Sequence, residues 1–295
     1  MKTSGIAQDL GYASDACLLI IHCDDTGMSW EANVAVKNLL ISGMATSCSV
    51  MIPCPWAYEF MQWYRAHPNL DVGIHVTLTS EWSSYRWRPL TSTKGLVDQN
   101  GFMHQRPQEV LNQASAQEIY EETVAQIQQA FDWGVTPTHV DTHMGASLAS
   151  WDFATAYIDA AKQFDLPPMI LDPKPEVMSA FASQGYDPRL AELMRGESTP
   201  KLTTLFGAAG GDTYKDMKQA IYRQLENLPP GITYLIIHPA LESDHMRAIT
   251  TSWQRRYWEY QIFMEDETRR KIRELGIKLV NWRKLLTCNP SSKRT

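Results

Sequence analysis

Leu18-Leu19-Ile20-Ile21-His22-Cys23-Asp24-Asp25 constrains this chain more than any other stretch. A continuous apolar run closed abruptly by polar residues reads as a strand buried on both faces, as in a parallel sheet covered by helices. Tyr234-Leu235-Ile236-Ile237-His238-Pro239 repeats the design late in the chain. Two adjacent carboxylates end the first run. Neighbouring residues on a strand point to opposite sides, so Asp24 and Asp25 cannot share one role unless the chain bends there. The pair is either a metal or general-base candidate or a cap for the helix that follows.

The remaining pattern alternates strands with helices. Strands are predicted at about 18–24, 46–52, 71–78, 137–143, 167–171, 202–206, 234–239 and 277–281. Helices are predicted over about 30–43, 56–66, 115–134, 152–164, 187–195, 212–228 and 252–275. Ser115-Ala116-Gln117-Glu118 has the spacing of a capping box and makes its helix the most secure. Such alternation argues for a parallel sheet, and this many strands suggest a closed or nearly closed TIM-like (β/α) barrel. A doubly wound open sheet is the alternative. No linker divides the chain, so the expectation is an N-terminal tail over 1–16, one barrel domain over 17–288 and a C-terminal tail over 289–295. The irregular stretch 80–114 is unusually long, and such loops are often functional.

Composition excludes several classes. With 44% hydrophobic and 20% charged residues, the chain has an ordinary soluble balance. A net charge of -6 without a basic block argues against nucleic acid as a partner. No apolar run approaches a membrane span or a signal-peptide core, which gives a cytoplasmic expectation and no membrane partner. The five Cys (17, 23, 48, 54 and 288) have no CxxC or zinc-finger spacing; Cys23, Cys48 and Cys54 read as small buried thiols.

Barrel folds place chemistry at the C-terminal ends of their strands. There the chain sets Asp24 and Asp25, His75, the run His139-Val140-Asp141-Thr142-His143, and His238, although it has only eight His. Singly, His75 fits a core histidine, and His22, inside the apolar run, reads as structural. His67 and His104 fall at a helix end and in a loop, and His245 reads as peripheral. Together, one carboxylate and two imidazoles describe a divalent-metal site with open positions. A second carboxylate beside it can accept a proton from water, and a further His can protonate a leaving group. The parts suit metal-assisted hydrolysis.

At these residues the sequence resembles the YdjC-like (ChbG/HpnK) carbohydrate deacetylase family. The matching stretches are Ile20-Ile21-His22-Cys23-Asp24-Asp25-Thr26-Gly27-Met28-Ser29, Thr46-Ser47-Cys48-Ser49-Val50-Met51, Gly73-Ile74-His75-Val76-Thr77-Leu78-Thr79, Pro137-Thr138-His139-Val140-Asp141-Thr142-His143-Met144-Gly145 and Ile237-His238-Pro239-Ala240, in family order over roughly 15–285. The resemblance implies a polysaccharide-deacetylase-type barrel that removes acetyl groups from N-acetylated sugars. It implies that Asp25, His75 and His143 hold one divalent metal ion; two imidazoles and one carboxylate put zinc or magnesium first among the candidates, with manganese, cobalt and nickel open. It implies Asp24 as the general base that activates water at the metal, and His238 as the acid or electrostatic partner. Asp141 and His139 would orient the ligand imidazoles from behind.

Trp82, Tyr85 and Trp87, with Arg86, are candidates for a sugar-stacking wall in the substrate site; the other reading is that they cover the barrel mouth or a dimer interface. A homodimer is plausible by resemblance alone. The chain departs from the family in three places: Met144 and Gly145 replace a further polar contact after His143, Cys23 stands where Ala is common, and Ala240 where Gly often follows His-Pro. Substrate identity is what these departures leave open. The alternatives to an N-deacetylase are a phosphoesterase or other amide hydrolase on the same barrel, or a sugar-binding barrel without turnover. No Gly-rich phosphate loop or basic cluster favours the phosphoesterase.

Overall fold

The computed structural model describes residues 6–183 and 185–287. In chain order the elements begin with α1 (Ile6–Asp9), β1 (Cys17–Thr26), α2 (Trp30–Ser42), β2 (Ser47–Val50), α3 (Ala57–Arg65) and β3 (Val72–Val76). Next come α4 (Pro107–Gln113), α5 (Ala116–Asp132), β4 (Val140–Thr142), a 3-10 segment at His143–Leu148, α6 (Trp151–Gln163), α7 (Pro175–Ser183) and α8 (Leu190–Gly196). The last are β5 (Thr204–Gly207), α9 (Tyr214–Glu226), β6 (Gly231–Ile237), α10 (Asp244–Ile249), α11 (Trp253–Met264), α12 (Asp266–Glu274), β7 (Lys278–Leu279) and α13 (Trp282–Leu286). Among the described residues they divide into two compact units, one of 6–24, 31–48 and 200–287, the other of 25–30, 49–183 and 185–199.

In the first unit β6 lies between β5 and β1, all parallel, with Cys17 opposite Gly231 and Cys23 opposite Ile237. β7 pairs with the start of β1 at Leu18 and Leu19. Thr46 donates its N–H to the Ile21 carbonyl, which brings the chain entering β2 alongside β1. Leu18, Leu19, Ile20 and Ile21 are completely buried, as a run apolar on both faces requires, and Tyr234 and Trp282 fill the core beside them.

In the second unit β3 and β4 are parallel, with His75 opposite Asp141. Met51 donates its N–H to the Thr26 carbonyl where β1 and β2 end. β3 stops because the side chain of Gln126 takes over the Thr77 backbone: Gln126 Oε1 accepts the Thr77 N–H and Gln126 Nε2 donates to the Thr77 carbonyl. Gln126 belongs to α5, which buries Ile119, Thr123, Ile127 and Ala130 at helical spacing. Its capping box is formed, with Ser115 Oγ accepting from the Glu118 N–H and the Glu118 carboxylate accepting from the Ser115 N–H.

The parallel α/β class expected from the sequence is what the structure has. Within each unit the strands form an open run flanked by helices. Four local expectations change. The strand expected at 167–171 is reduced to isolated bridge positions, Pro168 (paired with Val140) and Leu171, since Pro167 and Pro168 bring no N–H to a ladder. The helix expected over 252–275 breaks at Glu265, whose extended backbone (φ -71°, ψ 136°) ends α11 and starts α12. The strand expected over 137–143 ends at Thr142, because Met144 and Gly145 turn into left-handed conformations (φ 53° and 67°). Helices α4, α7 and α10 fall where no helix was expected, α4 within the irregular stretch 80–114; the first two open on Pro107 and Pro175, at the helix position where proline is tolerated. No helix among the described residues is long and apolar enough to cross a membrane. Cys288 and the expected 289–295 tail lie outside the described residues.

Candidate metal centre

The two acids that close β1 are separated by a backbone bend. Asp25 sits at φ 57°, a left-handed conformation that Asp tolerates better than most residues. Gly27 follows at φ 91°, where a Cβ would come within 3.1 Å of Ala57 Cα and Val50 Cγ1. This tight turn answers the question posed by strand alternation.

Asp25 is buried among two imidazoles. Its Oδ1 lies 3.6 Å from His75 Nε2 and 3.2 Å from His143 Nδ1. The two histidine nitrogens are 3.3 Å apart. One ligand atom from each of the three residues falls within 4.8 Å of the others. A carboxylate oxygen and two imidazole nitrogens, converging and shielded from water, are a donor set that fits a small divalent cation with positions left for water or substrate.

Carboxylates stand behind both rings. Asp141 Oδ1 lies 2.7 Å from His75 Nδ1, so the far nitrogen carries the proton and Nε2 turns its lone pair toward Asp25. Ser49 Oγ donates to Asp141 Oδ2 at 2.8 Å and sits 3.1 Å from His75 Nδ1. Behind His143, Glu81 Oε2 lies 3.0 Å from Nε2. Burial alone would pull the His143 imidazole down, but the charge of Glu81 and the hydrogen bond to Asp25 outweigh it and raise the group to about 9. His139 is held by Thr138 Oγ1 at 2.9 Å and Asp71 Oδ1 at 3.4 Å, and its ring packs flat against Gly73, where a Cβ would come 2.5 Å from His139 Cε1.

The first unit holds the other candidate residues. Asp24 Oδ1 lies 3.2 Å from His22 Nε2, and Asp24 Oδ2 lies 3.9 Å from His238 Nε2. His22 stacks on Tyr234 at 4.6 Å between ring centroids. The His238 N–H donates to the buried Glu259 carboxylate, whose other oxygen takes the Arg255 guanidinium at 3.0 Å. About a third of the His238 side chain is exposed, so a proton donor there has access from outside.

The YdjC-like protein family matches residues 18–274. The chain belongs to the YdjC-like family. A carbohydrate deacetylase of Thermus thermophilus is 33% identical over 87% of this chain and 90% of its own length. A carbohydrate deacetylase of Thermoanaerobacter pseudethanolicus is 27% identical over 90% of this chain and 97% of its own. A crystal structure from Enterococcus faecalis V583, of a protein proposed to cleave cellobiose-phosphate, shares the fold with a TM-score of 0.73 at 21% identity, covering 92% of this chain and 99% of that one.

The aromatic stretch of this YdjC-like protein is ordered by α5. The buried Glu122 carboxylate accepts the N–H groups of Leu90 and Thr91, and Glu118 accepts that of Gly95. Trp82, Tyr85 and Trp87 pack on one another with centroids 5.5 to 6.2 Å apart. Trp87 is buried, donates its Nε1–H to the Thr79 carbonyl and meets His143 edge-on at 6.4 Å. Trp82 and Tyr85 are half-buried, and the Tyr85 hydroxyl donates to the Met28 carbonyl. His245, half exposed, pairs with Glu31 at the start of α2, 3.2 Å from its Oε2.

Sequence reasoning did not assign roles to Ser49, Glu81 or Glu259, and it left His22 as structural. Ser49 stands inside a matching stretch, at the end of a strand, which is the signal that marks it. Glu81 and Glu259 carry no such signal, because one sits in an irregular stretch and the other on a helix with ordinary surface composition.

Proposed function

We propose that this YdjC-like protein is a metal-dependent carbohydrate deacetylase that hydrolyses the acetamide of an N-acetylated sugar to acetate and a free amine. The observation that carries the reading is the buried convergence of Asp25, His75 and His143, in a chain whose relatives are carbohydrate deacetylases over most of their length.

Asp25 Oδ1, His75 Nε2 and His143 Nδ1 are the atoms that would hold the ion. A divalent cation bound there supplies Lewis acidity toward water and the acetamide carbonyl. Asp141 keeps His75 in the tautomer that leaves Nε2 free to ligate. Asp24, bonded directly to Asp25, takes the proton of the attacking water. His22 Nε2 lies 3.2 Å from one oxygen of Asp24, and the other oxygen, on the side of His238, is the one that would act as base. His238 gives a proton to the departing amine, and the bond from its backbone N–H to Glu259 holds the main chain from which the ring projects. Trp82 and Tyr85, both half-buried, are the rings a sugar would stack on, and the buried Trp87 lies edge-on to His143.

The test is acetate release from N-acetylglucosamine oligomers and related acetamides, with several divalent metals added and phosphate release run in parallel. Asp24→Asn is expected to keep its metal and lose turnover by roughly 100-fold or more, the range for removing a general base. A fully active Asp24→Asn protein would sink the base assignment.

A further inference from the structure

We infer that Glu81 is the positioning residue that makes His143 ligate through Nδ1, so that the two histidines of the centre present different nitrogens, each fixed by its own carboxylate. The inference rests on the metal-centre reading above and adds a residue to it.

A neutral imidazole has one N–H and one lone pair, and the group that accepts the N–H decides which nitrogen can ligate. At His75 the outer nitrogen is Nδ1, which faces Asp141 at 2.7 Å, and Nε2 faces Asp25. At His143 the order is reversed. Nδ1 faces Asp25 at 3.2 Å and His75 Nε2 at 3.3 Å, while Nε2 faces Glu81 Oε2 at 3.0 Å. The reversal follows from the backbone. His75 lies within β3, whereas His143 follows the end of β4 and is succeeded by two left-handed residues. Its ring therefore enters the site from a different direction.

Glu81 is placed for the task by its neighbours on both sides. The Ser80 N–H donates to the His104 carbonyl at 2.8 Å, and Ser80 Oγ accepts the Trp87 N–H at 3.1 Å. The Trp82 carbonyl accepts from Gln105 Nε2 at 3.4 Å. The side chain of Glu81 is mostly covered, and the buried Trp87 ring meets the His143 ring edge-on at 6.4 Å. Water therefore has little room to replace the carboxylate as acceptor for Nε2–H.

The experiment loads the full chain with zinc and reads two quantities. The first is the protonated nitrogen of each ligand histidine, from long-range proton–nitrogen spectra of protein labelled with 15N-histidine. The second is zinc affinity by competition with a chromophoric chelator. The wild type is expected to show the proton on Nε2 of His143 and on Nδ1 of His75. Glu81→Leu is expected to bind zinc about 10- to 100-fold more weakly, the usual effect of losing a carboxylate behind a metal-bound histidine. Glu81→Gln keeps an acceptor oxygen; it is expected to retain the Nε2–H pattern and recover most of the affinity, which separates positioning from damage to the fold. A His143 proton on Nδ1 in the wild type, or wild-type affinity and unchanged nitrogen shifts in Glu81→Leu, overturns the role of Glu81 and leaves the metal centre standing. A wild type that binds no zinc and none of the other divalent metals overturns both.

Discussion

Adjacent carboxylates are a poor way to build two different environments on a straight strand, because alternation alone would send one of them to the opposite face of the sheet. The left-handed bend at Asp25 provides another solution, placing it among His75 and His143 while Asp24 stays with His22 and His238. Asn adopts this backbone region as readily as Asp, so Asp25→Asn should fold. We expect it to keep a melting temperature close to that of metal-free wild type while losing bound metal by elemental analysis, as His75→Ala and His143→Ala should. Full metal content in Asp25→Asn would remove Asp25 from the ligand set. At this scale the sequence was informative where a titratable residue interrupts or closes an apolar run. It said little about Glu81, whose importance comes from a fold-back of irregular chain that has no period to read.

Helix α5 is the element whose placement was most legible, since a capping box, an apolar stripe and Gly134 mark its start, face and end. It also positions the site, through Gln126 on the Thr77 backbone and Glu122 on Leu90 and Thr91. Ser115→Ala removes the acceptor for the Glu118 N–H and should cost about 1 kcal/mol in denaturant unfolding; no measurable loss would mean that water replaces the cap. Gln126 and Glu122 looked like ordinary helix polars because nothing local shows that they face a strand end and a loop. The break between α11 and α12 was hidden for the opposite reason. Ile262, Phe263, Thr268 and Ile272 continue a buried pattern straight through it, while the Glu265 side chain that accompanies the break is held by Lys218 and Tyr214 from α9.

Over the whole molecule, the alternation of strands and helices was enough to give the parallel α/β class, and the ordered motifs were enough to give the family that matches residues 18–274. The division into two compact units had no sequence signature. The chain crosses from one to the other four times, at 24/25, 30/31, 48/49 and 199/200, and the first and third crossings fall inside β1 and β2, where no shift in composition marks a linker. An ion held by Asp25, His75 and His143 binds only the folded chain. Chelation should therefore lower stability, by about 2.7 kcal/mol if the metal had been present at 100 times its Kd. A thermal melt with and without chelator, followed by metal restoration, reads this directly, and identical melts would argue against a tightly held ion. The most direct measurement of the central claim is acetate released from N-acetylglucosamine oligomers by the purified protein, before chelation, after chelation and after metal is returned. The account predicts acetate and free amine in equal amounts, lost with the metal and restored with it. Acetate release that is indifferent to chelation, or phosphate release from phosphate esters with no acetate from any acetamide, would contradict it.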